Sequence, residues 1–416
     1  TAGRSASSMT PPRALRAYAV LEAFIATCAL ILPALLAAAH PILQWVYGGD
    51  NAGSFEITIA LLALVLLAVP TAAMGATYPV AVRWIEGAAR SNRSERSMAF
   101  DAGGLYAVNT VGAALGAGLT GFALLPLLGI RGTTIVGVLL NPAAAGGALL
   151  LAKRQPAHER ARGDVEPTTP ERSRSIARGL RPARGGTQPE AVPVASRRVG
   201  LRIAATALGI SGCVALVYQV TWTRTLAMVL GPTTYAFSAM VVAVITGLAI
   251  GSAIAAWRAP RSPVRAMTWL GFVMIAAAAA AVAASIAIDR LPLVVASLVS
   301  RPDVTFVAVL AMQVALAIAI QLPMSIAFGA AFPLAIAAAD STPATAPRDA
   351  SVVYATNTLG AIVGAIAASF VLVPTLGIQG SVRVAAIVAA VAGAVIAWRA
   401  QSGSPVRIAA MLGGAV

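Results

Sequence analysis

The sequence predicts an all-α, polytopic membrane helix bundle of about ten transmembrane helices in two parallel repeats, the first lacking two helices. Three observations predict it. First, 58% of the 416 residues are hydrophobic and 11% are charged, with a mean hydropathy of +0.82. Soluble domains carry about a quarter charged residues, and no core could absorb this much apolar surface, so lipid must be the solvent. Second, the apolar residues fall in runs of about the 20 residues a helix needs to cross a bilayer, without the alternation of a β-barrel. Third, one passage is written twice. YAVNTVGAALGAGLTGFALLPLLGIRG (Tyr106–Gly132) and YATNTLGAIVGAIAASFVLVPTLGIQG (Tyr354–Gly380) share 15 of 27 positions at a constant offset of 248. Glycines, a proline and an Asn-Thr pair in register are the mark of a duplicated unit.

The expected spans are 17–39, 57–83, 104–126 and 132–152, then 202–220, 233–257, 266–288, 304–336, 351–373 and 380–398. The third and fourth match the ninth and tenth through the doubled passage. The second matches the eighth through PTAAMGATYP against PMSIAFGAAFP, in which Pro70 and Pro79, like Pro323 and Pro333, bracket a Gly-Ala step. The first then pairs with the seventh by order, and the fifth and sixth have no partner. The repeat is six helices long and the chain holds four plus six. An even-numbered repeat keeps its orientation, as parallel repeats about an axis along the membrane normal do.

The formal net charge of +15 does not signal nucleic acid, because the arginines gather between apolar runs. Arg4, Arg13 and Arg16 precede the first span. Arg83, Arg90, Arg93 and Arg96 follow the second, eleven Lys/Arg lie from Lys153 to Arg198, Arg258, Arg261 and Arg265 follow the sixth, and Arg399 and Arg407 follow the last. All fall on one side if the spans alternate. The expectation is an inner-membrane protein with both termini cytoplasmic. Its domains are a first membrane half (1–152), a basic linker too polar to fold (153–199), a second half (200–399) and a tail (400–416).

Cys28 and Cys213 lie in apolar runs, and His40 and His158 are isolated. No metal, disulfide or cofactor site is expected. Gly112 and Gly116, Gly360 and Gly364, and Gly247 and Gly251 are spaced to let helices approach closely in lipid. Asn109 and Asn357 are read as local or interhelical hydrogen-bonding groups near helix starts, or as a pseudo-symmetric pair lining a cavity, together with Tyr106 and Tyr354. The proline pairs either turn the chain or open a substrate site. Tyr218, Gln219, Trp222, Arg224 and Tyr235 cluster around the fifth and sixth spans, either as an interfacial belt or as the mouth of a solute path. Glu22 stands out as an acid within a span, so proton coupling lacks its parts.

GISGCVALVYQVTWTRTLAMVLGPTTYAFS, MGATYP and the doubled YAxNTxGAxxGA…LxPxLGI resemble the membrane part of the fused major-facilitator/spermidine-synthase family. The resemblance implies a major-facilitator-like bundle, usually followed by a soluble aminopropyltransferase-like domain. The Gly-rich/Asp motif of that domain is not found in these residues, so aminopropyl transfer is not expected of them. GISGCVALVYQ also occurs once, where the family shows a counterpart near the start. The leading expectation is binding or passage of a small solute, a polyamine among the candidates. The rivals are a membrane subunit anchoring a synthase-like or other partner, and a fragment of a fused aminopropyltransferase.

Overall fold

The computed structural model describes residues 9–48, 52–89, 97–154, 194–258, 260, 262–339 and 345–402. All regular structure among them is helical. Helices α1 (Pro11–Tyr47), α2 (Ala52–Ala89), α3 (Ser97–Leu119) and α4 (Leu125–Arg154) form the first half. The second half comprises α5 (Val194–Leu230), α6 (Thr234–Arg258), α7 (Pro263–Ala287), the short α8 (Leu291–Val299), α9 (Phe306–Ala338), α10 (Ala346–Ala367) and α11 (Val373–Ser402).

Among the described residues, eight stretches are long and apolar enough to cross a membrane. Two of them, Gly104–Lys153 and Arg348–Gln401, run 50 and 54 residues. Straight, they would reach about 75 and 81 Å, more than twice a bilayer core. Each is broken at one glycine, Gly129 (φ 64°, ψ −175°) and Gly377 (φ 70°, ψ −179°). That backbone region is essentially closed to residues with a Cβ. Each stretch is therefore two spans, which restores the ten expected from the sequence. Ahead of each glycine, Thr120–Leu124 and Ala368–Leu372 form a single π-helical turn, which the sequence reading did not foresee.

The repeat is visible in the packing. Helix α1 packs on α2 and α4 as α7 packs on α9 and α11, and α9 meets α3 as α2 meets α10. Six spans separate the start of α2 from that of α9, so both cross in the same direction and the repeats are parallel. Helix α5 packs against α10 and α11, and α6 packs against α9 on one side and against α3 of the first half on the other. Helices α5 and α6 have no counterparts among the described residues of the first half.

Several boundaries differ from expectation. Helix α5 runs on to Leu230, which places Trp222 and Arg224 inside it and not in a connection. Helices α3 and α10 begin at Ser97 and Ala346, so Asn109 and Asn357 sit about three turns inside, and neither caps a helix start. The physical reason is common to all: apolar runs report the lipid-facing length, whereas helices continue past it until a breaker ends them. Of the expected linker, residues 155–193 lie outside the described residues, as do Arg4, Arg90, Arg93, Arg96, Arg261 and the tail from 403.

Burial is uneven. Half of the apolar window is buried in both α5 and α6, against 6% in α2. Two large apolar clusters hold the second half together, and the second of them takes in Tyr78 and Val82 at the end of α2. Among its described residues, the first half has only small clusters of its own, such as Leu15 and Ala19 with Ala145, Ala148 and Ala152.

Candidate functional site

Four rings meet where the halves join. Tyr78 of α2 stacks on Tyr354 of α10 (centroids 5.7 Å apart, planes at 20°), and Phe332 of α9 stacks on Tyr106 of α3 (4.5 Å, 24°). Tyr78 meets Tyr106 edge-on at 6.3 Å and 88°, and Phe332 meets Tyr354 edge-on at 6.2 Å and 87°. The Tyr78–Phe332 contact, 5.7 Å at 76°, closes the set. Tyr78 and Phe332 are repeat equivalents, as are Tyr106 and Tyr354. Every contact in the cluster therefore has its mate or is its own mate, and the pseudo-twofold axis runs through it. The proline pairs help to place it. Pro79 and Pro333 follow Tyr78 and Phe332 directly, inside α2 and α9. Each removes the amide that would bond the carbonyl four residues back, which is Gly75 in one half and Gly329 in the other.

One helical turn from Phe332, Phe328 forms part of the wall of a cavity of ≈ 220 Å³ between α5, α6 and α9. Tyr218, Gln219, Leu248, Met324 and Ser325 complete most of the wall. The Tyr218 and Phe328 rings stand 6.0 Å apart. The lining is overwhelmingly apolar and contains no carboxylate. The side chains of Tyr218 and Trp222, one turn apart on α5, are 1% exposed, and Gln321 of α9 is fully buried. The Tyr218 hydroxyl, the Trp222 Nε1–H and both amide atoms of Gln321 make no hydrogen bond among the described residues. Buried polar groups are nearly always paired, so three orphaned side chains on two neighbouring helices are an unusual concentration. Others are satisfied locally. The Ser325 hydroxyl donates to the Gln321 carbonyl at 2.7 Å, and the Gln219 amide donates to the Thr223 hydroxyl at 3.3 Å.

The structure brings together some of the residues expected from the sequence and separates others. Tyr106 and Tyr354 join the ring cluster, and Tyr218 and Gln219 line the cavity. Trp222 is core, with no place in an interfacial belt. Arg224 is exposed, and Tyr235 stacks on Phe122 and meets Phe306 edge-on. Asn357 packs against Gly212 of α5, whereas Asn109 is exposed on α3, so the two do not face a shared cavity. Glu22 accepts a hydrogen bond from the Tyr18 hydroxyl. Gly247 and Gly251 of α6 lie against the backbone of α9. Tyr78, Phe328, Phe332 and Gln321 went unnoticed. Tyr78 and Phe332 were legible as the aromatic before the second proline of each pair, and Gln321 as a lone amide in an apolar run.

No protein-family model matches the chain, and no curated protein matches it. Among solved structures, the human organic anion transporter MFSD10 (TETRAN) is similar over 95% of this chain and 82% of that one, at 13% sequence identity and a TM-score of 0.42.

Proposed function

We propose that the chain binds or passes a small, neutral, amphipathic solute at the cavity between α5, α6 and α9, with the four-ring cluster closing the path on the side where α1 begins. The observation that carries this reading is Tyr218, which lines an otherwise apolar cavity and whose buried hydroxyl makes no hydrogen bond among the described residues. An apolar pocket with a few placed polar groups is the usual form of a small-molecule site. An apolar cavity of roughly 150 Å³ takes a benzene, so ≈ 220 Å³ suits one ring with a polar substituent. A polyamine fits poorly, because no carboxylate on the wall would offset the cost of desolvating its charges. On the charge distribution of the sequence, the closed side is the cytoplasmic one.

Equilibrium dialysis of the purified chain with benzamide, indole and spermidine tests the proposal. Saturable binding of benzamide, weakened about five- to tenfold by Tyr218→Phe through loss of one hydrogen bond, is the expected result. Absence of saturable benzamide or indole binding overturns it. So does spermidine binding that Tyr218→Phe leaves untouched. Uptake of the bound solute into proteoliposomes then separates passage from binding alone.

A further inference from the structure

The cavity between α5, α6 and α9 has a polar end. Tyr218 and Gln219 line it from α5, and Met324, Ser325 and Phe328 line it from α9. Trp222 stands one turn beyond Tyr218 on the same face of α5, and Gln321 stands one turn before Ser325 on the same face of α9. Two contacts fix how these helices lie. The Tyr218 and Phe328 rings meet at 6.0 Å, and the Gln313 amide donates to the Leu230 carbonyl at 3.0 Å. The helices run antiparallel between those contacts. Trp222 and Gln321 therefore come at a similar depth, past the cavity on the side away from the start of α1.

Elsewhere on these faces the fold supplies its own partners. Gln313, two turns from Gln321, is also buried, and its amide is taken up by Leu230. Thr221 and Thr225 flank Trp222, and their hydroxyls donate to the carbonyls of Val217 and Thr221 at 2.8 and 2.9 Å. Four atoms are left over: the Tyr218 hydroxyl, the Trp222 Nε1–H, and the amide nitrogen and oxygen of Gln321. A buried group whose bond is unmade bears its full desolvation cost, so such a concentration points to a group from outside the chain. The cavity wall carries no Asp, Glu, Lys or Arg among the described residues. A charge would go uncompensated there, so that group is neutral.

We propose that these atoms recognise a primary carboxamide carried on a ring. This names the solute class of the cavity and rests on the reading of that cavity as a binding site. A carboxamide oxygen has two acceptor positions, and its nitrogen carries two N–H donors. The unpaired atoms answer all four. The solute oxygen accepts from the Trp222 Nε1–H and from the Gln321 Nε2–H. The solute N–H groups donate to Gln321 Oε1 and to the Tyr218 hydroxyl oxygen. Gln321 turns its amide toward the cavity by a change of rotamer, and the ring of the solute occupies the apolar remainder beside Phe328. A ketone keeps the oxygen but loses both N–H groups. An ammonium group finds acceptors but no countercharge.

Equilibrium dialysis of the full chain with benzamide and with acetophenone is the test, because the two differ only in NH2 against CH3. Benzamide should bind about thirtyfold more tightly, through its two N–H bonds. In Gln321→Met the ratio should fall to about fivefold, the share of the bond to Tyr218. Trp222→Phe should weaken both solutes by the same factor, since both keep the carbonyl. Equal affinities in the parent chain overturn the carboxamide assignment while leaving the cavity a binding site; water on the unpaired atoms would give that result. A ratio that Gln321→Met leaves unmoved overturns it too. Failure of both solutes to bind overturns the function proposed above as well. The ratio in the parent chain decides the matter even if a variant fails to fold.

Discussion

Gly360 and Gly112 hold the same place in the two repeats, yet one is pressed against a helix backbone and the other faces open space. The same contrast separates Gly364 from Gly116 and Gly329 from Gly75. The halves agree wherever a contact is made within the shared four-helix unit, as in α1 on α2 and α7 on α9. They disagree wherever α5 or α6 takes part. What the comparison teaches is that a glycine on a membrane helix encodes permission for close approach, and that the neighbour alone decides whether the permission is used.

The largest expected effect tests that statement directly. Gly360→Leu should cost more than about 3 kcal/mol, because the atoms in its way are backbone and cannot rotate aside. Gly112→Leu should be neutral, or stabilising by up to about 0.8 kcal/mol through helix propensity. Thermal unfolding in mild detergent reads both, and equal losses would dissolve the contrast. Next come the positions where the halves are alike. Gly129→Ala and Gly377→Ala should each cost about 1–3 kcal/mol, since both glycines occupy backbone space that alanine resists. A cost confined to one of them would mean that the turns are not equivalent.

A smaller effect concerns a polar group special to the second half. Gln321 of α9 corresponds to Ala68 of α2 and leaves both amide atoms unpaired. Gln321→Met should raise the melting stability of the solute-free chain by about 1 kcal/mol or more, because an unpaired buried amide is replaced by an apolar chain of similar volume. Destabilisation instead would reveal a partner for the amide. The smallest effect is in the rings. Double-mutant cycles to leucine should give about 0.5–1.5 kcal/mol for Tyr78 with Tyr354 and for Phe332 with Tyr106. The two values should agree within about 0.5 kcal/mol if the pseudo-twofold axis holds in solution.

The ten spans and their duplication were legible because a bilayer imposes long apolar runs, and because a copied passage keeps its glycines in register. Tyr106 and Tyr354 could be picked out as a repeated pair. The ring cluster they form could not, since Tyr78–Tyr354 and Phe332–Tyr106 are stacks between halves whose register is set by tertiary packing. Trp222 shows the limit of reasoning by residue type. Tryptophan near the end of an apolar run suggests an interface, but α5 extends past that run and buries it. Asn109 and Asn357 share one sequence context and still differ, because α5 covers only the second. No local pattern could have told them apart.

The paired π-helical turns carry a record of history. Thr120–Leu124 and Ala368–Leu372 stand at the same place in the two repeats, each shortly before its turn glycine. A π turn is rare inside an α-helix, and its independent appearance at one matching site in both copies is improbable. The turn therefore belongs to the ancestral single unit and is older than the doubling. By contrast, PMSIAFG is one residue longer than PTAAMG between the first proline and the glycine, and that change came after the doubling, when the copies had begun to diverge.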